Sequence, residues 1–327
     1  MKILIVRTDK LGDFITALPT CKVLKEYRSD FYISVCVAPL NRELAESCDF
    51  IDEVIVDDTS SAFKLSKKLR PHRFDISITL FSDTKVAFAQ LLAGIPKRIA
   101  PATKIAQFLY TKRIKQRRSE VKMAEYEYNM QLAKSEFKEL NLDFKRPLLT
   151  FDKDEVKEIY KRFSQKYDIK KPIIAFHPGF GGSSDANWTL DEYIELISSV
   201  LHVNSFQVVM TFGPDEEELK KEAMKKAAGL DIIFYSSHNG LVDFAKLLSS
   251  FKLFVSTSTG TYHLAALVGV RTMTFFADSL FASVKRWKAV SDESLQHPYM
   301  LSQDSKKRKE QFYKIKKDLL NLQQDLI

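Results

Sequence analysis

Residues 252–268 read Lys252-Leu253-Phe254-Val255-Ser256-Thr257-Ser258-Thr259-Gly260-Thr261-Tyr262-His263-Leu264-Ala265-Ala266-Leu267-Val268, and this stretch decides the fold. Lys252–Ser256 is an apolar run of strand length, Tyr262–Val268 has helical spacing, and a row of hydroxyl side chains with one glycine joins them. A strand feeding a helix through such a loop is the unit of a parallel sheet with crossover helices. The pattern repeats outward. In the second half Pro172–His177, Phe206–Thr211, Asp231–Tyr235 and Arg271–Phe276 are strand-like, with helices expected at Leu190–Leu201, Glu216–Ala228 and Leu241–Ser250. In the first half the strands are Lys2–Arg7, Tyr32–Val37, Glu53–Val56, Asp75–Leu80 and Lys97–Ile99. Phe14–Glu26 and Thr84–Ala93 are helical there, and a long helix is expected over 120–140.

Two such series in 327 residues predict an α/β protein of two doubly wound domains, with a cleft at the carboxyl ends of their strands. The boundary is expected between Asn141 and Pro172, which gives domains at 1–160 and 161–305. A charged final helix, Asp304–Leu322, carries an apolar stripe at Phe312, Ile315, Leu319 and Leu322.

Composition narrows the function classes. Hydrophobic residues make up 45% of the chain, enough for full cores, and no run approaches the roughly 20 apolar residues that span a bilayer. Met1–Arg7 is too short for a secretory signal and is expected to be a first strand. Cys21, Cys36 and Cys48 sit at no metal-ligand spacing and are expected to be reduced, buried thiols of a cytoplasmic protein. The six histidines are scattered singly, so no metal site is expected. A net charge of +8 suits an anionic partner. The basic clusters at 112–118 and 306–309 are not interleaved with aromatics and accompany no nucleic-acid motif. They point to an anionic glycolipid or the inner face of a membrane rather than to nucleic acid, the alternative being a solvated face.

Four segments carry chemistry. Arg7-Thr8-Asp9-Lys10-Leu11-Gly12-Asp13 leaves the first strand and opens a helix. Gly12 permits a tight turn, and the Asp13 carboxylate can take a proton from a hydroxyl or simply cap the helix. The loop from His177 to Trp188 holds three glycines with Ser183 and Ser184, either a nest for phosphate oxygens or a flexible connector. In the opening stretch, the free N–H groups of Thr259, Gly260 and Thr261 at a helix start suit a pyrophosphate. His263, in the first turn, could donate to it or be structural. Asp215-Glu216-Glu217-Glu218 follow a strand, where an acid can bind ribose hydroxyls or serve only the helix dipole. No G-x-G-x-x-G dinucleotide fingerprint and no D-x-D metal motif occurs at a strand end.

In order and spacing these segments resemble glycosyltransferase family 9, the bacterial ADP-heptose:lipopolysaccharide heptosyltransferases, over nearly the whole chain. The resemblance implies a GT-B fold of two Rossmann-like domains, the acceptor held mainly by the first and the donor by the second. It also implies a final helix (306–327) crossing back onto the first domain, and metal-independent, cofactor-free inverting transfer. Asp13 then matches the catalytic base. Ser183, Ser184, Glu216, Ser258, Thr259, Gly260, Thr261 and His263 match donor-binding positions, and Lys10, Gly12, Asn41, Arg42, Lys97, Arg98 and Arg113 are candidates for the acceptor. Two positions depart from the better-known members: Ala186 stands where they have a lysine, and Ser258 where they usually have aspartate. Two other readings stay open, a nucleotide-sugar 2-epimerase of the same fold and a sugar-nucleotide-binding protein without catalysis.

Overall fold

The structure, a computed structural model, describes residues 1–179 and 187–327, which form two compact units, Met1–Leu148 and Leu149–Ile327. The first unit runs β1 (Lys2–Arg7), α1 (Leu11–Ile15), α2 (Leu18–Tyr27), β2 (Tyr32–Val37), α3 (Arg42–Glu46), β3 (Glu53–Val56), α4 (Ala62–Leu69), β4 (Ile76–Thr79), α5 (Thr84–Leu92), β5 (Lys97–Pro101), β6 (Lys112–Ile114) and α6 (Glu125–Lys134). Its six strands are ordered β3-β2-β1-β4-β5-β6, all parallel. β1 is buried from Ile3 to Arg7, the near-continuous apolar run of a strand covered on both faces.

The second unit runs α7 (Lys153–Tyr167), β7 (Ile173–His177), α8 (Leu190–Val203), β8 (Gln207–Phe212), α9 (Glu217–Lys226), β9 (Ile232–Ser236), α10 (Leu241–Leu248), β10 (Leu253–Thr257), α11 (Gly260–Leu267), β11 (Thr272–Ala277), α12 (Val284–Trp287), β12 (Gln296–Leu301) and α13 (Ser305–Asp325). Its parallel order, β12-β11-β10-β7-β8-β9, repeats that of the first unit. In both, the order reverses beside the first strand, between β1 and β4 and between β7 and β10. That reversal is where open α/β sheets place their ligands.

Local chemistry explains the helix starts. Thr189 and Glu192 cap α8 reciprocally, Glu192 N–H donating to Thr189 Oγ1 (3.2 Å) and Thr189 N–H to Glu192 Oε2 (2.7 Å). Asp83, Asp152 and Asp304 cap α5, α7 and α13.

Several expectations need correction. The expected helix 14–26 is two helices, because Pro19 sits in the first turn of α2 and the chain breaks at Thr16 and Ala17. The expected helix 120–140 shortens to α6. The edge strands β6 and β12 and the helix α7 lie outside the expected elements; β6 has little apolar surface, whereas α7 carries Val156, Ile159, Tyr160 and Phe163 at helical spacing and is legible from pattern. The units divide at 148/149, within the expected interval Asn141–Pro172 but before the 160/161 division, so α7 lies wholly in the second, where Phe163 packs edge-on against Tyr235 (5.2 Å between centroids). The last helix spends its apolar stripe within the second unit: Phe312, Ile315, Leu319 and Leu322 are buried in the core that holds Trp188, Leu196 and Val200. No helix among the described residues is long and apolar enough to cross a membrane.

Candidate active site

In the first unit the loop leaving β1 builds a carboxylate cluster around one arginine. Arg7, 3% exposed, donates through Nε to Asp9 Oδ1 (2.8 Å), through one terminal nitrogen to Asp13 Oδ1, and through the other to Glu125 Oε1 (3.4 Å). Arg118 donates to the same Glu125 oxygen and to Gln116 Oε1 (2.9 Å). Two arginines therefore serve three carboxylates. Burial raises Asp9 to about 6, Arg7 opposing and the Asp13 charge adding to the rise. Burial works against the charge of Arg7, but the carboxylates around it win and its affinity for the proton rises. Arg7 thus orients the Asp13 carboxylate, whose second oxygen carries no hydrogen bond among the described residues.

The cluster is buttressed from two sides. Asn129 of α6 donates to Thr16 O (3.0 Å) and Thr16 Oγ1 (3.1 Å), and the Thr16 hydroxyl donates to Asp13 O (2.7 Å). Asn41, fully buried, donates to Asp9 O (3.1 Å) and fixes the loop itself. Gly12 is buried and Lys10 exposed in the same turn. The other proposed acceptor residues lie further out. Arg42 pairs with Glu46 (2.7 Å) and Lys97 with Glu136 (2.6 Å), while Arg98 donates to the carbonyls of Leu109 (3.0 Å) and Ile95. Arg113 is exposed, with its guanidinium 5.6 Å from the Phe108 ring centre.

In the second unit, groups gather at the ends of β7, β8 and β10. His177, buried at the end of β7, donates from Nδ1 to Thr211 O (2.9 Å), and its Nε2 lies 3.8 Å from Glu216 Oε2. Burial lowers its affinity for a proton, with Glu216 opposing. Glu216 accepts from Gly213 N–H (2.6 Å). A Cβ at Gly179 would overlap the Glu216 carboxylate, so only glycine lets the acid lie against that loop.

Beyond the next strand, Ser258 N–H is held by Phe275 O (2.9 Å), and the hydroxyls of Thr259 and Thr261 share a 2.8 Å bond. α11 begins at Gly260, so the N–H groups of its first turn have no acceptor within the helix. His263 is buried in that turn between Tyr262 (4.7 Å) and Trp287 (6.3 Å). Burial lowers it to about 4, so it is neutral near pH 7, and its Nδ1 lacks a partner among the described residues. Ser183, Ser184 and Ala186 lie outside the described residues.

Sequence reasoning gave no role to the groups that organise these loops. Asn187 is one: it donates to Pro178 O (2.8 Å), accepts from Thr257 and Tyr193 (3.2 Å), and its carbonyl accepts from Arg308 of α13. It thereby ties the end of the β7 loop to β10. Arg7 and Glu125 are the others. An arginine closing an apolar strand was the visible signal for the first, while Glu125 stands 118 residues away and gave none.

Comparisons with known proteins bear on the family and the fold. The sequence profile of glycosyltransferase family 9 (heptosyltransferase) matches residues 62–316. A Haemophilus influenzae protein named as a candidate glycosyltransferase is 35% identical over 300 residues, covering 89% of this chain and 86% of its own. Among solved structures, Escherichia coli ADP-heptose lps heptosyltransferase II superposes with a TM-score of 0.78 at 20% identity, over 98% of this chain and 99% of that one. Escherichia coli heptosyltransferase WaaC with ADP gives 0.67 at 18% identity, over 97% and 100%. The fold is the GT-B fold of these enzymes. With the fold and the sequence profile in agreement, the chain is a glycosyltransferase of the heptosyltransferase type and belongs to glycosyltransferase family 9.

Proposed function

We propose that this enzyme moves a heptose or related sugar from a nucleotide diphosphate donor, ADP-heptose being the donor expected, to an inner-core lipopolysaccharide or related anionic glycolipid. Transfer inverts the anomeric carbon and needs no metal ion or other cofactor. The observation that carries this reading is Asp13: a carboxylate locked by a buried arginine through one oxygen, the other having no partner among the described residues and so open to receive a proton. Asp13 takes the proton of the acceptor hydroxyl as that oxygen attacks the anomeric carbon from the face opposite the diphosphate. Charge grows on the departing nucleotide. The first-turn N–H groups of α11, the hydroxyls of Thr259 and Thr261, and neutral His263 in its Nδ1–H tautomer are the donors offered to it. Glu216, which among the described residues accepts from one backbone N–H, supports the ribose role. The ADP carried by WaaC supports a nucleotide-sugar donor.

The test is a thermal-shift panel of ADP-, UDP-, GDP- and CDP-sugars, followed by transfer to a lipopolysaccharide acceptor in chelator with the product's anomeric configuration read by NMR. The reading predicts stabilisation by one nucleotide class, a rate indifferent to chelator, and an inverted product. A retained configuration, or turnover of the donor without acceptor, would overturn it.

A further inference from the structure

Large apolar side chains of the first unit are uncovered close to the carboxylate cluster. In the 3-10 turn Ile105–Leu109 after β5, Ile105 is 85% exposed and Phe108 72%; Phe81, in the loop after β4, is 42% exposed. Single exposed apolar residues are ordinary, but these adjoin cations. Lys104 Nζ stands 4.5 Å from the centre of the Phe81 ring, and the Arg113 guanidinium 5.6 Å from that of Phe108. Phe81 also meets Arg7, whose guanidinium is 5.7 Å from the ring centre, the arginine that holds Asp13. A chain of contacts therefore runs from the Asp13 carboxylate to the exposed turn.

The turn is built, not frayed. Its inner side chain, Ala106, is buried with Tyr110, Ala87 and Ala100, and Arg98 fastens its end through Leu109 O (3.0 Å). Lys104 enters it at φ 57°, ψ 173°, a backbone state ordinarily left to glycine. The outer face of a firmly anchored turn thus offers largely exposed apolar groups, Ile105 and Phe108. The edge strand β6 adds exposed Arg113, with exposed Lys115 just beyond its end.

The chemistry selects the occupant. A second copy of a chain of net charge +8 would bring cations against cations. An anionic bilayer accepts both components: the aliphatic and aromatic groups enter the headgroup–acyl boundary while the basic side chains meet lipid phosphates. We propose that residues 104–115 dock the first unit onto an anionic membrane surface. Ile105 and Phe108 insert, and Lys104, Arg113 and Lys115 engage the headgroups. Asp13 is then presented to an acceptor anchored in the same leaflet; this last consequence rests on the function proposed above, and the docking itself does not.

Co-sedimentation of the full chain with phosphatidylcholine vesicles, alone or mixed with phosphatidylglycerol, tests the docking. Wild type is expected to bind the mixed vesicles, and to bind them more weakly as salt rises. Ile105→Ser/Phe108→Ser should lower binding roughly tenfold or more, and Arg113→Glu should lower it as well. The double variant should keep its melting temperature and its rate on a lipid-free acceptor. Phe108→Trp should shift its emission to the blue on vesicle addition. The proposal is overturned if the double variant sediments like wild type, if neutral vesicles bind as well as anionic ones, or if the substitutions instead disperse a dimer. Vesicle binding is read without turnover, so its failure is distinguishable from failure of the transferase reading.

Discussion

Arg7 is the residue on which the first half of the site depends. It is almost wholly buried and touches three carboxylates; Glu125 also has Arg118, so removing Arg7 leaves the partly buried Asp9 and Asp13 without this counterion. Arg7→Met should cost about 3–5 kcal/mol of stability, the range for breaking one partner out of a buried pair, measured by urea denaturation; a loss under about 1 kcal/mol would mean that the network behaves as a surface one. His263 carries a pH signature. Its folded value, about 4, lies below the ordinary 6.5, so between those values the unfolded chain binds the extra proton. Its contribution is present above pH 6.5 and is lost as pH falls toward 4, on the order of 3 kcal/mol in all. His263→Asn should flatten that part of the stability–pH curve, and an unchanged slope would place the imidazole in contact with water. At this scale the sequence displayed Asp13, Glu216, Thr259 and His263, because each stands at a strand-to-helix junction. It could not display Glu125 or the tie made by Asn187, since those partners meet only after the sheets have formed.

At the scale of elements, legibility followed the strength of the pattern. β1, β2, β3 and α11 were readable because apolar runs or helical spacing end at clear turn residues. β6, Lys112-Arg113-Ile114, reads as a basic cluster because an edge strand needs little apolar surface. α13 was placed from its stripe, but a stripe records only that a helix is covered, not by what. Its cover is the core of the second unit, reinforced by Gln323 donating to Val200 O (3.1 Å) and Lys316 meeting Glu195 (2.8 Å). Leu319→Ala should therefore cost about 2–5 kcal/mol. Nucleotide should protect the variant less well, since α13 also holds Asn187 through Arg308. Calorimetry with and without nucleotide checks both, and an unchanged melting temperature would contradict the packing.

For the whole molecule, the same strand order built twice from one chain places the chemistry of each unit at its own sheet reversal. The division of labour proposed here follows: the first unit supplies the base, the second holds the nucleotide diphosphate. Net charge announced an anionic partner but not where it would be met, because charge carries no position until the chain is folded. The most direct measurement of the central claim compares Asp13→Asn with wild type in two quantities, turnover to the glycolipid acceptor and donor affinity by calorimetry. The account predicts a fall in turnover of about 10²–10⁴-fold, the usual worth of a general base, with donor affinity within about twofold of wild type, a difference well under 1 kcal/mol. Near-normal turnover, or loss of donor binding in step with turnover, would contradict it.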